Sequence, residues 1–272
     1  MINKTLTAGF ICFLLFCSAF FLAGEASIYF NATAFIVVTS GTLGAGLLSS
    51  GPQRLKQAFG FAANAYSEES EPESKLIDTL LRLGHLYQRH GIINPESIQD
   101  RYPLIAQGLD LIKDGYQEKE IREILGTDAA VHGKSRQELE KVFRNMSSFA
   151  PSFGVAGSVI GLVGLLMGID QTSLILESVP VTLVSTLYGI VLANFLLLPV
   201  AEKIRQKKEQ EIQKREIIIC AMINISRGAD FLKLQRMLNS LVAEPHLRVE
   251  GHEAFKRINA AINKASANKA GA

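Results

Sequence analysis

Four long stretches of the 272-residue chain consist almost wholly of apolar and small residues, and none of them contains a charged side chain. Each is about long enough to cross a hydrocarbon core of roughly 30 Å, which takes about 20 helical residues. An amphipathic helix of a soluble core would carry a polar face. The pattern therefore predicts four transmembrane helices, at Leu6–Ala23, Ala32–Leu48, Phe149–Ile169 and Val179–Val200.

The remaining segments carry the period of amphipathic helices. In Lys75–His90, apolar residues recur on one face, and Gly91 is placed to cap the end of that helix. The small, polar end of the chain, Asn259–Ala272, is expected to be disordered. Two shorter helices are predicted at Tyr102–Lys113 and Lys119–Leu125, and Ser135–Met146 leads into the third span. After the fourth span, a charge-rich, exposed helix is predicted at Glu202–Arg215.

The positions of the positive charges predict the topology. Of the 28 Lys and Arg residues, one precedes the first span, 13 lie in Gly51–Met146 and 14 lie in Ala201–Ala272. The short connections Gly24–Asn31 and Asp170–Ser178 contain none. Because positive residues stay on the cytoplasmic side, both termini and the long middle segment are expected to be cytoplasmic.

The expected fold class is thus an all-α membrane protein with four transmembrane helices. A helical cytoplasmic domain lies between spans 2 and 3, and a cytoplasmic helix follows span 4. The predicted division is residues 1–50 for spans 1 and 2, 51–146 for the cytoplasmic domain, 147–200 for spans 3 and 4, and 201–272 for the tail helix and its flexible end.

Several other classes of protein fit the composition poorly. A net charge of +2 without a basic, aromatic-interleaved patch argues against nucleic acid. The first apolar run resembles a signal peptide, but it exceeds the usual core of about 7–15 residues. No metal-ligand spacing or catalytic cluster is visible, so neither an enzyme nor a cofactor is expected. The histidines and cysteines are scattered: His85, His90, His132, His246, His252, Cys12, Cys17 and Cys220.

Small residues form matching stripes on the third and fourth spans. In a membrane such stripes let helices approach closely, so these two spans are expected to pack tightly, either against each other or against a partner helix. Static packing without any transport role explains them equally well at this point. The third span carries Gly154, Gly157, Gly161, Gly164 and Gly168 at steps of three and four, and the fourth carries Thr182, Ser185, Thr186, Gly189 and Ala193.

Hydroxyl side chains lie at membrane depth in the same two spans. Ser158, Thr182, Ser185 and Thr186 can bond to their own helix, or they can supply neutral oxygen ligands to a hard cation. No Asp, Glu, Lys, Arg or His lies within either span. Because an ion relay normally needs an ionisable group at depth, an ion-moving role would require a carboxylate from a partner helix.

Three prolines lie at the ends of these spans. Pro151 and Pro199 are predicted at the cytoplasmic ends, either as boundary markers or as hinges that pass a membrane event to the cytoplasmic domain. Pro180 is expected in the first turn of the fourth span.

The two spans together resemble the MotA family of flagellar stators, which includes the sodium-driven PomA type. Ala150–Leu166 reads APSFGVAGSVIGLVGLL and is similar to the family signature APxFGxxGTxIGLVxxL. The fourth span, from Ser185 through Asn194 to Lys203, resembles TTLYGxxxAN…PIAxKL. Further family-like stretches are Val37–Leu43, Gln107–Gly115 and Glu120–Leu125, so that the resemblance covers nearly the whole chain to about Leu241.

The resemblance implies a homo-pentamer in the bacterial inner membrane, around a dimer of a single-span MotB-like or PomB-like partner. That partner would carry the ion-accepting aspartate and a peptidoglycan anchor, and the cytoplasmic domain would push on the rotor protein FliG. The transported ion would be Na⁺ or H⁺, with no other metal.

The resemblance also carries roles over to individual residues. Pro151 and Pro199 match the functional prolines, Tyr188 matches a pore-side aromatic, and Ser158 and Thr186 match two positions that bear threonines in sodium-driven members. The hydroxyl of Ser158 favours sodium, since proton-driven members tend to have Ala there. Thr182 completes the expected ion path, and Arg89 and Glu96 are the residues that correspond to the family's rotor contact.

Two departures mark a divergent member. The chain reads Gly228–Phe231 where the family often has Gly-x-Asn-Pro, and Val179–Val181 where it has an Ala-rich run. An ExbB-like or TolQ-like energiser is a rival interpretation, although those relatives generally have three spans. Another MotA-like motor with a non-flagellar task and a purely structural membrane scaffold also remain open.

Overall fold

The computed structural model describes residues 4–22, 29–67, 72–91, 102–167 and 172–242. Within these ranges every regular element is helical, which confirms the all-α prediction. The elements are α1 Lys4–Leu22, α2 Ala32–Ser50, α3 Pro52–Ser67, α4 Glu73–His90, α5 Pro103–Lys113, α6 Glu118–Met167, α7 Thr172–Val191, a π-helical segment Leu192–Leu197, α8 Leu198–Ser226 and α9 Phe231–Ser240.

Three helical runs among the described residues are long and apolar enough to cross a membrane: α2, the 50-residue α6, and Val179–Ser226, which passes from α7 through the π segment into α8. A shorter apolar stretch, Thr7–Ser18, lies within α1. The protein is therefore a multi-pass membrane protein, and the crossing at Leu6–Ala23 stays a prediction.

The chain folds into two compact units. Unit 1 comprises Met1–Glu68 and Ser135–Lys207, and unit 2 comprises Glu69–Lys134 and Lys208–Ala272. Each unit thus joins two separate stretches of the chain. The four predicted domains follow chain order instead, and their boundaries stay predictions.

In unit 1, α3 leaves α2 at a sharp turn and packs against α6. Gly51 makes this turn with a φ of 78°, and its N–H bonds to the Leu47 carbonyl. The Phe59 ring meets the Phe143 ring edge-on, with 5.0 Å between centroids. Small and apolar residues form the buried cluster here: Ala58, Ala62, Leu139, Val142, Phe143, Met146, Ala150, Ala193, Leu197, Ala201 and Ile204.

In unit 2, large aliphatic residues form the core. Gly91 ends α4 with a φ of 72° and an N–H bond to the Tyr87 carbonyl, which confirms the predicted cap. Asp230 starts α9 by accepting the Leu232 N–H through its side chain. The fully buried centre includes Leu76, Ile77, Leu80, Leu81, Ile105, Ile121, Leu125, Ile217, Met222 and Leu234.

Two boundary predictions are wrong. Lys119–Leu125 is not a separate short helix but part of one unbroken helix, α6, because the roughly 1 kcal/mol cost of a helical glycine at Gly126 or Gly133 is smaller than the gain from burying the apolar face of the helix. Ser135–Met146 leads into the third span within the same helix, as predicted. Helix α7 begins at Thr172, so Pro180 lies inside it. Interior prolines are tolerated in spans because neighbouring groups satisfy the freed carbonyl. The tail Asn259–Ala272 lies outside the described residues.

Candidate functional site

Helices α6 and α7 approach each other backbone to backbone. A Cβ atom placed on Gly154 would lie 2.9 Å from the Ser185 carbonyl oxygen, and one on Gly189 would lie 2.6 Å from the Ala150 carbonyl oxygen. Both obstacles are main-chain atoms, which cannot rotate away as a side chain can. Only glycine therefore fits at these two positions without moving a helix.

The glycine stripe continues along α6 with contacts to α7. A Cβ on Gly157 would lie 2.7 Å from Ser185 Oγ, and one on Gly161 would lie 2.6 Å from the Thr182 amide nitrogen. Gly164 is partly exposed. The predicted close approach of spans 3 and 4 is thus present, and it is densest between Gly154 and Gly161.

Three neutral oxygen atoms converge beside this contact. Ser158 Oγ lies 2.5 Å from the Thr182 carbonyl oxygen, to which it donates, and 2.6 Å from Thr186 Oγ1. It also lies 3.2 Å from the Gly154 carbonyl oxygen of its own helix. The structure therefore brings together Ser158, Thr182 and Thr186, three of the four residues that were predicted to line the ion path. Ser185, in contrast, is fully buried and bonds back to the Val181 carbonyl at 2.6 Å.

The chemistry of this cluster is limited by its composition. Hydroxyl and carbonyl oxygens can replace part of the water shell of a hard cation, but they carry no charge and release no proton near neutral pH. Among the described residues, no group of three or more His, Cys, Asp and Glu is placed to hold a metal ion. The cluster can therefore contact a passing cation but needs a carboxylate from elsewhere to neutralise it.

Tyr188 is bonded to the chain that precedes α2. Its hydroxyl donates to the Tyr29 carbonyl at 2.5 Å and accepts the Asn31 N–H at 3.2 Å. Asn31 in turn caps α2 through its side chain, which accepts the Ala34 N–H at 2.9 Å. The hydroxyl that was predicted to lie in the ion path thus ties the start of α2 to α7 in this structure.

Pro151 and Pro199, which match the functional prolines of the family, do not interrupt their helices. Pro151 lies inside α6, and a Cβ on Gly189 would reach its Cα at 3.1 Å. Pro199 is the second residue of α8 and lies two residues after the end of the π-helical segment Leu192–Leu197. They are therefore interior positions at which the backbone hydrogen bonding changes, and their role as hinges stays a prediction.

The π segment is a feature that the sequence analysis missed. The Leu198 N–H reaches back five residues to the Ala193 carbonyl, and the Asn194 side chain donates to the Ile190 carbonyl at 2.9 Å. The Tyr66 hydroxyl, from α3, donates to the Pro199 carbonyl at 3.4 Å, and burial raises the pKa of that phenol. The one signal in the sequence was Pro199 itself, since a proline removes a donor and favours local widening of the helix.

The predicted rotor contact is only partly described. Arg89 is exposed in the last turn of α4. Glu96, its proposed counterpart, lies outside the described residues. The structure therefore does not test whether the two side chains share a surface.

Ion pairs link helices within unit 2. Arg227 donates to Glu118 from Nε at 2.7 Å and from Nη2 at 2.5 Å. This hydrogen bonding, with Arg122 nearby, holds the pKa of Glu118 below its usual value. Arg215 pairs with Asp128, and His132 Nε2 lies 2.8 Å from Glu211 Oε2.

Known proteins resemble this chain over a region that includes spans 3 and 4. Residues 96–217 match the MotA/TolQ/ExbB proton channel family. The chain is 27% identical over 212 residues to the uncharacterized protein YtxD of Bacillus subtilis, covering 77% of this chain and 78% of that protein. It is 25% identical over 210 residues to the chemotaxis protein PomA of Vibrio alginolyticus, covering 77% and 83% of the two chains.

A solved structure superposes on most of this chain. The flagellar MotAB stator complex from Bacillus subtilis contains a chain that superposes with a TM-score of 0.78 at 26% identity, over 87% of this chain and 94% of that one. The matched region, residues 96–217, includes both the glycine contact and the hydroxyl cluster. The family match, the likeness to PomA and the likeness to a MotAB stator complex together support a MotA-family protein.

Proposed function

We propose that this chain is a MotA-type stator subunit that couples inward ion flow to rotation of the flagellar motor, together with a MotB-like, single-span partner. The observation that carries the proposal is the cluster of Ser158, Thr182 and Thr186 beside a contact made of glycines. The likeness to PomA and to a MotAB stator complex supports it.

The composition of the two spans defines what the partner contributes. Neither span contains an ionisable residue, whereas an ion relay at membrane depth needs one. The partner helix therefore supplies the carboxylate, and the cluster on this chain supplies neutral oxygens next to it. Close packing at Gly154 and Gly189 keeps α6 and α7 at a fixed separation, so that the cluster keeps its geometry.

Sodium is the proposed ion. Ser158 Oγ lies within 2.6 Å of the Thr182 carbonyl oxygen and of the Thr186 hydroxyl oxygen, and neutral oxygens of these kinds can act as ligands of a hard cation. A proton path would not need these oxygens, because a carboxylate and water suffice.

The remaining parts of the proposal concern the assembly. The chain is a homo-pentamer in the inner membrane with both termini in the cytoplasm, and it contacts the rotor protein FliG through Arg89 and Glu96. Arg89 is exposed in the last turn of α4, which supports this role for that residue.

The decisive experiment measures swimming speed at graded sodium in a strain that lacks this gene and any second stator. The strain is complemented with wild type, Ser158→Ala or Thr186→Ala. Wild type is expected to restore swimming that depends on sodium. Each variant is expected to need a higher sodium concentration for half-maximal speed, because it removes one oxygen from the cluster.

Ser152→Ala is the matched control. Ser152 lies on the same helix, is exposed and bonds weakly to the Ser148 carbonyl at 3.4 Å, so its loss should leave the sodium dependence unchanged. Rescue independent of sodium would keep the stator and reject sodium. Normal swimming without complementation would replace the flagellar role with a non-flagellar motor, and silent Ser158 and Thr186 variants would favour a scaffold.

A further inference from the structure

The polar ends of the unit 1 helices carry a marked surplus of positive charge. Residues 52–67, 135–146 and 201–207 contain eight Lys and Arg residues but only three carboxylates, Glu138, Glu140 and Glu202. These segments lie next to the apolar runs of α2, α6 and the α7–α8 helix. Lys56 is the fifth residue of α3 and Lys203 the sixth of α8, so they lie about 6 Å and about 8 Å from the starts of their helices.

Contacts bring these basic residues together from three helices. Glu138 on α6 binds Arg54 of α3 at 3.2 Å and Lys141 at 2.9 Å. Glu202 on α8 accepts hydrogen bonds from Arg205. The positive charge of Arg144 on α6 also acts on this carboxylate. The basic ends of α3, α6 and α8 are therefore neighbours within the unit.

All three carboxylates of this region are already engaged by cations. Glu138 is shared by Arg54 and Lys141, Glu140 binds Arg144 at 2.8 Å, and Glu202 is held by Arg205. Among the described residues, neither Lys56 nor Lys203 forms an ion pair; Lys56 is exposed and Lys203 half-buried. Two ammonium groups thus lack a protein anion, within about one Debye length of the membrane end of their helices.

We propose that Lys56 and Lys203, with the basic residues around them, bind the headgroups of anionic phospholipids in the leaflet at this end of the spans. Clusters of four to eight Lys and Arg beside a membrane helix attract anionic lipid, by about 1 kcal/mol, or about fivefold in affinity, for each residue near the surface. The proposal rests on the membrane assignment and stands whether or not the chain drives a flagellum.

Native mass spectrometry of the full chain in a neutral detergent tests the proposal. Phosphatidylglycerol and phosphatidylcholine with the same acyl chains are titrated separately, and the apparent Kd of the first bound lipid is measured. Wild type is expected to bind phosphatidylglycerol more tightly. The double variant Lys56→Gln/Lys203→Gln is expected to lose about 25-fold of that affinity, with phosphatidylcholine binding unchanged.

Two matched variants separate a binding surface from a general charge effect. Lys75→Gln/Lys113→Gln removes the same charge from exposed positions in unit 2 and should keep the preference for phosphatidylglycerol. Lys56→Arg/Lys203→Arg should keep it as well. Equal binding of both lipids by wild type overturns the proposal, as does an unaffected Gln double variant or an equal loss in the unit 2 control.

Discussion

The helices inside unit 1 and the helices inside unit 2 pack through different kinds of contact. In unit 1, α6 and α7 meet through glycines, with main-chain atoms within 3 Å of where a Cβ would be. In unit 2, leucine and isoleucine side chains fill the space between helices. Lipid gives no hydrophobic drive for helix association, so close backbone approach takes its place. In water, burial of large apolar side chains is the main source of stability.

The two units also differ in the balance between basic and acidic residues. The helix ends of unit 1 carry eight basic and three acidic residues, whereas the described residues of unit 2 carry 13 Lys and Arg against 12 Asp and Glu. Unit 2 uses its charges in pairs between helices, as at Glu118–Arg227 and Asp128–Arg215. On the lipid proposal above, anionic headgroups balance the surplus charge of unit 1, whereas the charges of unit 2 are nearly balanced within the protein.

The largest expected effect comes from removing side-chain volume in unit 2. Leu80→Ala should destabilise unit 2 by about 2–5 kcal/mol, because it deletes a fully buried side chain and leaves a cavity. Hydrogen exchange of the α4 amides reports the loss directly. Leu232→Ala, at a side chain that is 51% exposed, is the matched control. Equal protection in both variants would contradict the view that volume holds this unit.

The next effect comes from adding one methyl group, which should matter in unit 1 and little in unit 2. Gly189→Ala meets a carbonyl oxygen at 2.6 Å, while Gly84→Ala meets the tip of the Leu234 side chain at the same distance. The first should cost about 1–3 kcal/mol as overpacking, because only the second obstacle can rotate away. Thermal unfolding of the full chain in detergent measures both.

Gly44→Ala supplies the control for the membrane environment. Gly44 lies in α2, and a Cβ there has no atom within 4 Å. If Gly44→Ala were as harmful as Gly189→Ala, helix propensity or lipid contact would explain the loss, and backbone contact would not.

A smaller effect is expected from Tyr188→Phe. It removes both hydrogen bonds to the chain at the start of α2, at about 0.6–1 kcal/mol each in a membrane protein. Faster hydrogen exchange of the first α2 amides is the measurement. Tyr116→Phe, at an exposed tyrosine in unit 2, should leave them unchanged. Unchanged hydrogen exchange of the α2 amides together with a changed dependence of swimming on sodium would instead support a role for Tyr188 in the ion path.

The smallest effect concerns acid. The pKa of Glu118 is lowered in the folded protein by its hydrogen bonds to Arg227, so its contribution is present above the ordinary carboxyl pKa of about 4 and is lost as pH falls through the lower folded value. Glu118→Gln should flatten that part of the pH dependence of thermal stability. Glu123→Gln, an exposed carboxylate on the same helix, should not. The effect is small because the pair is exposed and screened by salt.

The sequence alone predicted what depends on local pattern. Apolar length located three membrane-crossing helices, the period of α4 and its Gly91 cap were correct, and glycine spacing identified the contact between α6 and α7. It failed where tertiary contacts override propensity. Lys119–Leu125 was predicted as a short helix, but it continues through Gly126 and Gly133 into the rest of α6, because burial of the apolar face outweighs the cost of the two glycines.

The site was predicted in the same uneven way. Membrane depth and hydroxyl chemistry grouped Ser158, Thr182, Ser185 and Thr186, and the family resemblance added the sodium-type roles of Ser158 and Thr186. The structure places Ser158, Thr182 and Thr186 together, whereas Ser185 bonds to its own helix. The partners of Tyr188 lie 157 and 159 residues away along the chain, and no local pattern encodes such a pairing. The π segment could not be predicted for another reason. Its residues have the same apolar composition as an α-helical span.

That π segment has a consequence for scanning experiments. A turn closed by bonds to the fifth preceding residue holds about one residue more than an α-turn, and one residue corresponds to about 100° of rotation around the helix. A cysteine-accessibility scan along residues 179–210 should therefore show the usual period before Leu192 and after Leu197, with a jump in phase between them. A single helical wheel drawn through the whole span would place the residues of α8 on the wrong face.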